Sequence, residues 1–283
     1  MTIARFQKII LDWYNPPAGG RRDMPWRNTR DPYKILVSEI MLQQTQVPRV
    51  LPKYQEFLHE FPTPQALAKA PDQKLMKVWA GLGYWRRAKY LKETAKIITK
   101  EYGGKFPKDP KVLETFPGIG PYTARAVACF AFGNSQPFID TNIRRVYLHF
   151  FFGGKNSVAD KEILKIAQKA IDTLPKGVTT REWHYALFDY GAVVLKKDAS
   201  VNKRSRHYAK QSKFAGSFRS FRTKAVRFIL AAPKNKVAHK ELHAFLTKEL
   251  VDIKYQQVYT PQEIIQALLK DNLIKKSKTH YSI

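Results

Sequence analysis

Two acidic side chains of this sequence lie in settings that suit acid–base chemistry. Glu39 falls within the apolar run Ile35-Leu36-Val37-Ser38-Glu39-Ile40-Met41, where burial would raise the pKa of its carboxyl toward that of a general acid. Asp140 follows apolar residues at the predicted start of a helix, where backbone N–H groups would keep its carboxylate ionised. The alternatives are a half-exposed glutamate on an amphipathic helix and an ordinary helix N-cap. Spacing alone leaves both interpretations open for each residue.

A third stretch, Phe116-Pro117-Gly118-Ile119-Gly120-Pro121-Tyr122-Thr123-Ala124, predicts a phosphate-binding turn. One helix ends, two glycines make a tight turn, and a proline opens the next helix. A phosphate can then approach the backbone of Gly118, Ile119 and Gly120, next to the partial positive charge of the following helix N-terminus. Such a helix–hairpin–helix grips a phosphodiester without reading its sequence. An ordinary glycine-containing turn is the alternative.

The charge balance favours a polyanionic partner. The 283 residues include 50 Lys and Arg against 23 Asp and Glu, a net charge of +27, and nucleic acid is the commonest partner for such a surplus. An anionic membrane is the other candidate, but no run approaches the roughly 18 apolar residues of a spanning helix. The N-terminus also lacks the cleavage site of a secretory signal. The single cysteine, Cys129, excludes a disulfide framework and any four-thiolate metal site.

The hydrophobic pattern is helical almost throughout. No run of strand length alternates convincingly before about residue 270, so we predict an all-α body with short connections. One helix carries the apolar residues from Val50 to Leu58, after an interruption of the register by Pro48. The other helices of the body are predicted at 3–14, 31–44, 63–70, 72–80, 85–102, 109–115, 121–132, 140–150, 159–172 and 179–195.

The C-terminal part changes character. Residues 195–217 are basic and poor in large apolar side chains, which indicates a linker or a lobe edge over an anionic partner. Residues 218–283, called here the C-terminal module, hold 13 basic and 5 acidic residues. This charge would suit a second DNA-contacting surface, although a protein-interaction module is the alternative. A winged-helix-like arrangement is predicted from helices at 221–230, 240–250 and 261–269 and a two-stranded ribbon from 273–276 and 281–283.

Taken together, these stretches resemble the helix–hairpin–helix DNA glycosylases, and among them the MutY adenine glycosylases. The resemblance covers about residues 1–215 and implies a two-lobed all-α fold in which the target base is flipped into the cleft between the lobes. The domains expected are a six-helix lobe at about 28–133, a second lobe from 1–27 and 134–217, and the C-terminal module. The matching motifs are Pro25-Trp26-Arg27, Asp31-Pro32-Tyr33, SEIMLQQTQV (38–47), GLGYW (81–85), GGKFP (103–107), FPGIGPYTA (116–124) and FIDTNIRRV (138–146).

The resemblance assigns roles to the catalytic candidates. It makes Glu39 the acid that protonates adenine N7 and Asp140 the carboxylate that stabilises the sugar cation and orients or activates water. Tyr122 would stand near the sugar, and Asn142 would hydrogen-bond the Asp140 carboxylate. Two carboxylates in opposite protonation states across a glycosidic bond are the general logic of sugar hydrolysis.

The same resemblance implies the DNA contacts. Gln44 and Tyr84 match positions that wedge into the duplex where the adenine has left. Arg22, Trp26 and Arg27 match residues that line the base pocket, where planar and bidentate groups are useful. The partner expected is double-stranded DNA with mismatched or oxidised base pairs. We expect a monomer located inside the cell, cytoplasmic and nucleoid-associated in a prokaryote.

The residue type at position 122 distinguishes monofunctional from bifunctional DNA glycosylases. The bifunctional endonuclease III-like branch carries a lysine there that forms a Schiff base, so tyrosine predicts a monofunctional enzyme with weak or no lyase activity. Thymine-mismatch relatives also carry tyrosine but lack the glutamate that matches Glu39. We therefore expect excision of adenine opposite 8-oxoguanine or guanine. The alternatives are a thymine or uracil mismatch glycosylase and a catalytically silent lesion sensor, and retention of Glu39, Tyr122 and Asp140 argues against the latter.

Three departures from the family carry expectations. Most relatives bind a 4Fe–4S cluster through four cysteines, but the matching positions here hold Leu195, Asn202, Ser205 and Gln211, so we expect no cluster, no metal and a loop held by hydrogen bonds and packing. The C-terminal module is too short and too helical for the Nudix-like domain that reads 8-oxoguanine. Tyr185 occupies the place of a carboxylate that contacts adenine in some relatives.

Overall fold

The computed structural model describes residues 1–209, 213–251 and 259–283. Helices dominate this part of the chain, which confirms the predicted all-α class, and every one of them is too short or too polar to cross a membrane. The helices are α1 (Ile3–Tyr14), α2 (Pro32–Leu42), α3 (Val47–Glu60), α4 (Pro64–Lys69), α5 (Asp72–Trp79), α6 (Arg86–Glu101), α7 (Pro110–Leu113), α8 (Pro121–Phe132), α9 (Thr141–Phe151), α10 (Asp160–Asp172), α11 (Thr180–Val193), α12 (Phe218–Ala231), α13 (His239–Val251) and α14 (Pro261–Lys270).

Local signals explain most helix starts. Asp31 caps α2, because its Oδ1 accepts the Tyr33 backbone N–H at 2.8 Å, and Pro32 follows in the first turn. The predicted break between two helices is present but falls before Pro48: α2 ends at Leu42 and α3 begins at Val47, so Pro48 stands in the first turn of α3, where no N–H donor is needed. Prolines therefore mark helix starts here more often than helix ends.

Met1–Glu39 and Pro107–Lys210 form one compact unit. Helix α11 packs against α1 and α9, and α10 lies against α9 and α1. The Phe6 ring of α1 meets the edges of Phe151 on α9 and Trp183 on α11, with ring centroids 5.0 and 5.4 Å away. This aromatic core holds the C-terminal half of α9, the helix whose N-terminus carries Asp140 and Asn142.

The described part of the basic segment 195–217 is folded as a lobe edge. It forms two short 3₁₀ helices, Leu195–Lys197 and Ala199–Arg204, and the second lies against α9. Val158 donates its N–H to the Arg204 carbonyl at 2.8 Å and accepts the Arg206 N–H at 3.0 Å. Three of the four positions that match cluster cysteines are buried, namely Leu195, Asn202 and Ser205, whereas Gln211 lies outside the described residues.

Ile40–Phe106 and Gln211–Ile283 form the second compact unit. Helix α4 packs against α6, α3 against α5, and α12 of the C-terminal module against α5. The contact-based units thus group the C-terminal module with residues 40–106. The predicted domain boundaries themselves stay a prediction.

The C-terminal module has the predicted winged-helix-like arrangement of three helices and a terminal ribbon. Its three strands are β1 (Lys236–Ala238), β2 (Lys275–Lys276) and β3 (His280–Ser282), and β3 pairs antiparallel with both others in the order β1-β3-β2. The expectation of no strand before about residue 270 is therefore wrong. The alternation of apolar and polar residues does not reveal β1 in the sequence, because three residues are too few to show it.

Gly191 of α11 faces the backbone of Asn142 at the start of α9. A Cβ at this position would lie 2.4 Å from the Asn142 carbonyl oxygen. We expect Gly191→Ala to destabilise the fold by about 1–3 kcal/mol through overpacking, although alanine is the better helix former by about 1 kcal/mol. Urea unfolding measures the change.

Gly153→Ala is the matched control, because a Cβ at Gly153 meets no atom within 4 Å. It should be neutral or slightly stabilising. Equal stability of the Gly191→Ala variant and the unaltered protein would contradict the close approach of α11 to α9.

Candidate active site

Glu39 is a buried acid. Helix α2 places it among buried apolar residues, with 6 % of its surface exposed. Its Oε2 accepts a hydrogen bond from the Tyr122 hydroxyl at 3.0 Å. Burial raises the pKa of Glu39 to about 7; the charge of Asp140 adds to the rise, and the Tyr122 bond and the charge of Arg27 oppose it. Near neutral pH a large share of Glu39 therefore holds a proton.

Asp140 is the N-cap of α9. Its Oδ1 accepts the backbone N–H groups of Asn142 at 2.9 Å and Ile143 at 2.7 Å, and its Oδ2 accepts the Asn142 side-chain amide at 3.0 Å. Burial raises the pKa of Asp140 above its usual value, and these three donors hold the rise back. The capping and the carboxylate function are compatible, because the donors stabilise the ionised form.

Tyr122 joins the two acids. It lies in the first turn of α8, directly after the helix–hairpin–helix turn, and its ring meets the edge of Phe138 at a centroid distance of 5.6 Å. Burial and the neighbouring carboxylates Glu39 and Asp140 raise the pKa of Tyr122 well above its usual value. The phenol therefore stays neutral and donates. The structure places Glu39, Tyr122, Asp140 and Asn142 close to one another, through the hydrogen bonds of Tyr122 to Glu39 and of Asn142 to Asp140 and the charge interaction of Tyr122 with Asp140.

The helix–hairpin–helix turn joins α7 to α8. Gly118 has a φ of +75°, a conformation that favours glycine, and Gly120 is the exposed N-cap of α8. Ile119 is buried, and its N–H donates to the Phe116 carbonyl at 3.1 Å. Ile119 thus anchors the turn, while the two glycines leave the approach to the α8 N-terminus without side chains.

The two arginines proposed for the base pocket share one buried carboxylate, Asp189 of α11. Arg27 donates to both Asp189 oxygens at 2.6 and 2.8 Å. Arg22 donates its Nε at 2.5 Å and its backbone N–H at 3.0 Å. Sequence reasoning missed Asp189, although a lone acid in an apolar helical run is the same signal that singled out Glu39.

An aromatic stack lies beside these arginines. The Tyr185 ring stacks on Phe130 at 4.5 Å, and the Arg27 guanidinium lies 4.5 Å from the Tyr185 centroid. Trp26 is buried in the short 3₁₀ helix Pro25–Arg27. Tyr185 is therefore a buried ring packed against both Phe130 and the Arg27 guanidinium.

Gln44 and Tyr84 lie in the second compact unit. Both have a left-handed backbone, with φ of 56° and 45°; Gln44 is exposed and Tyr84 half-buried. Their two loops are joined by Arg87, a buried residue that sequence reasoning missed because nothing distinguished it from Arg86. The Arg87 guanidinium donates to six oxygens: the carbonyls of Ile40 (2.8 Å), Met41 (2.9 Å), Gln43 (2.5 Å), Leu82 (3.0 Å) and Gly83 (3.2 Å), and Thr45 Oγ1 (3.1 Å).

In the part of the chain that the structure describes, no group of three or more His, Cys, Asp or Glu residues could hold a metal ion. Cys129 is buried in α8, and burial raises its pKa to about 12. The three described positions that match cluster cysteines carry an aliphatic, an amide and a hydroxyl side chain, which do not fit an iron–sulfur cluster.

A helix–hairpin–helix turn next to a buried pair of carboxylates defines a class of helical DNA-binding repair proteins. Residues 37–173 match the HhH-GPD superfamily of base excision DNA repair proteins, and the chain belongs to this family. An adenine DNA glycosylase of Mycolicibacterium smegmatis is 42% identical over 186 residues, which are 65% of this chain and 61% of that protein. The chain spans 56% to 61% of the length of the first adenine DNA glycosylases that it matches.

Relatives named for another substrate match this chain over a larger share of their own length. A thymine/uracil-DNA glycosylase of Methanothermobacter thermautotrophicus is 35% identical, over 67% of this chain and 84% of that protein. The solved structure of a thermostable thymine-DNA glycosylase superimposes with a TM-score of 0.59 at 32% identity, over 68% of this chain and 86% of that one. These similarities establish the fold. They do not identify the substrate, which has to be inferred from the chemistry of the site.

The raised pKa of Glu39 predicts a pH-dependent change in stability. The folded protein favours the protonated acid, so this contribution is full below the ordinary pKa of 4.5 and is lost as pH rises toward about 7. Glu39→Gln removes the titration and keeps an acceptor for Tyr122. Above pH 7 the variant should be more stable than the unaltered protein by up to about 3 kcal/mol, whereas at low pH the two should be similar.

Denaturant unfolding across this pH range measures the difference. Glu93→Gln is the matched control, because Glu93 is half-exposed on α6 and pairs only with Lys96 among the ion pairs of the described residues. A difference between Glu39→Gln and the unaltered protein that does not vary with pH would contradict a raised pKa at Glu39.

Proposed function

We propose that this protein is a monofunctional adenine DNA glycosylase that excises adenine paired with 8-oxoguanine or guanine. The observation that carries the proposal is Glu39, a buried acid with a pKa of about 7, hydrogen-bonded to Tyr122 and within the electrostatic influence of Asp140. An acid that holds its proton near neutral pH suits a purine, because N7 is a basic atom that can accept it.

In this mechanism Glu39 donates its proton to adenine N7. The bond between N9 and the sugar C1′ then breaks, its electron pair leaves with the base, and positive charge develops on the sugar. Asp140, held on the α9 N-terminus by three hydrogen bonds, stabilises that charge. A water molecule adds to C1′ and passes its proton to Asp140, which completes the hydrolysis.

Tyr122 and Asn142 act as positioning residues. The Tyr122 hydroxyl donates a hydrogen bond to Oε2 of Glu39, and the Asn142 side-chain amide donates one to Oδ2 of Asp140. Each carboxyl group is thereby held in one orientation. Tyr122 has no amine with which to attack the sugar, so a Schiff base does not form at this position. We therefore propose hydrolysis with weak or no strand cleavage.

The extruded base would be recognised next to Asp189. Arg27, Arg22 and the aromatic pair of Tyr185 and Phe130 provide planar groups and guanidinium donors, and Trp26 lies on the same short 3₁₀ helix as Arg27. The net charge of +27 and the helix–hairpin–helix turn support binding to the phosphates of double-stranded DNA. Gln44 and Tyr84 would insert into the duplex, with the protein acting as a monomer.

A mismatch glycosylase for thymine or uracil is the second candidate. It is favoured by the relative of that name, 84% of which this chain covers, against 61% of an adenine relative. A pyrimidine has no N7 to accept the Glu39 proton, so the buried acid weighs against it. A silent lesion sensor needs neither a buried acid nor an anchored carboxylate, since phosphate binding uses neither.

Four duplexes separate these candidates: A opposite 8-oxoguanine, A opposite G, T opposite G, and U opposite G. Abasic sites are revealed by alkaline cleavage of the labelled strand. We expect excision of adenine from the first two duplexes and little strand cleavage before alkali. Processing of the pyrimidine mismatches alone would contradict the adenine proposal, and cleavage of none would favour the silent sensor.

Glu39→Gln tests the acid within the same assay. Loss of the proton donor should lower adenine excision by about 10²–10⁴-fold, while binding to the duplex stays tight and salt-sensitive. The exposed Glu93→Gln variant should excise at the unaltered rate. An unchanged rate in Glu39→Gln would remove this residue from the mechanism.

We also propose that the enzyme works without an iron–sulfur cluster. The support is the side chains at the matching positions and the single cysteine, which cannot supply four thiolates. Protein purified without oxygen should contain no stoichiometric iron or acid-labile sulfide and should excise adenine at full rate after treatment with an iron chelator. Loss of activity on chelation, restored by iron and sulfide, would overturn this proposal.

A further inference from the structure

The C-terminal module contacts Tyr84, one of the two residues proposed to enter the duplex. Arg219 lies in the first turn of α12, and its guanidinium donates to the Tyr84 hydroxyl. The same guanidinium lies 5.3 Å from the centroid of the Tyr84 ring. The module therefore reaches a residue of the DNA-contacting surface through a hydrogen bond and a cation–π contact.

Tyr84 also contacts a second guanidinium, that of Arg87, at 5.4 Å from the ring centroid. The Arg87 side chain is buried and bonds to the carbonyls of Leu82 and Gly83, just before Tyr84, and to that of Gln43, just before Gln44. The left-handed backbone of Tyr84, with φ 45°, is strained for a bulky residue and persists only where its surroundings hold it. Arg87 holds the loop from within the unit, and Arg219 holds the tyrosine side chain at its hydroxyl.

Further contacts fix the module on the two helices next to Tyr84. Asp271, at the end of α14, pairs with Arg222 of α12 and lies 3.5 Å from Arg86, the first residue of α6. Gln73 of α5 donates to the carbonyl of Ile283 at 3.0 Å. Because α6 begins two residues after Tyr84, these contacts set the position of α12 relative to that residue.

The charge of the module fits a phosphate backbone. It holds 13 basic and 5 acidic residues, and its terminal ribbon exposes three lysines and no acid between residues 275 and 280. A basic ribbon of this kind complements a polyanion rather than a protein surface of mixed charge. The charge and the contact with Tyr84 both point to the same partner, double-stranded DNA.

We propose that the C-terminal module is a part of the DNA-engaging surface and that its Arg219 positions Tyr84 for insertion into the duplex. This inference rests on the proposed function, since it assumes that Tyr84 enters DNA. It gives residues 218–283 a role that does not require the module to read the opposite base. Arg219 is a positioning residue, because it acts through Tyr84 and not on the reacting atoms.

The test uses the full chain and a duplex with 2-aminopurine placed beside the A:8-oxoguanine pair. The fluorescence of this base rises when its stacking is disturbed, so it reports insertion independently of excision. Arg219→Met should lower the rate of the fluorescence rise by about tenfold, the loss of one cation–π contact with its hydrogen bond. Arg219→Lys, which keeps a cation and a donor, should recover part of it.

Arg227→Met is the matched control, since it removes the same charge from an exposed position of the same helix. It should weaken binding slightly at low salt and leave the fluorescence rate unchanged at saturating DNA. Equal effects of Arg219→Met and Arg227→Met would show a general loss of charge and would overturn the positioning role. Thermal unfolding of each variant checks that the module stays folded.

A double-mutant cycle with Tyr84→Ala shows whether Arg219 acts through the tyrosine. With the ring absent, adding Arg219→Met should cause no further loss of the fluorescence rise. The same tenfold loss in both backgrounds would overturn the proposal. If the unaltered protein excises no adenine from any of the four duplexes while the cycle still shows coupling, the proposed function fails and the role of Arg219 stands.

Discussion

The removal of Glu39 from water is the constraint on which the site depends. A carboxylate without solvent is held as the neutral acid unless donors or cations stabilise its charge, and here one phenol donates to it while Asp140 raises its pKa further. The result is a pKa of about 7, which leaves the acid able to lose its proton and to regain it near neutral pH. A stronger donor set would keep Glu39 ionised, and an apolar site without Tyr122 would hold its proton too tightly.

Arg27 would disturb this balance if its charge were unpaired. Asp189 has no exposed surface and accepts hydrogen bonds from both terminal nitrogens of Arg27, but it also pairs with Arg22, so its charge offsets only part of the two guanidinium charges. The guanidinium therefore offers a planar face to Tyr185 while it lowers the pKa of Glu39 only as the weakest of the four influences on it. A buried ion pair of this kind contributes little to stability, which suggests that its value lies in the geometry it fixes.

Features set by neighbouring residues were predictable from the sequence, and features set by distant contacts were not. Asp140 as an N-cap and the helix–hairpin–helix turn depend on residues a few positions apart, so their residue types reveal them. The pairing of Arg27 with Asp189 joins residues 162 positions apart, for which one sequence has no signal. Arg86 and Arg87 are adjacent and of one type, yet only Arg87 is buried, because the direction in which a side chain leaves its helix depends on the packing of the whole unit.

Arg87 shows how the two loops proposed to enter the duplex keep their shape without DNA. The loops carry left-handed residues, and their carbonyls would be poorly satisfied if they were buried without a donor. One guanidinium bonds to four oxygens of these loops and to two carbonyls at the end of α2, and although burial lowers its pKa to about 10, it stays charged at neutral pH. These hydrogen bonds offset the backbone strain of both loops when the protein folds. No further free energy is then needed to strain the loops when DNA binds. Loops that are already in shape lose less conformational entropy on binding, and this would make the proposed insertion into the duplex more favourable at the same contact area.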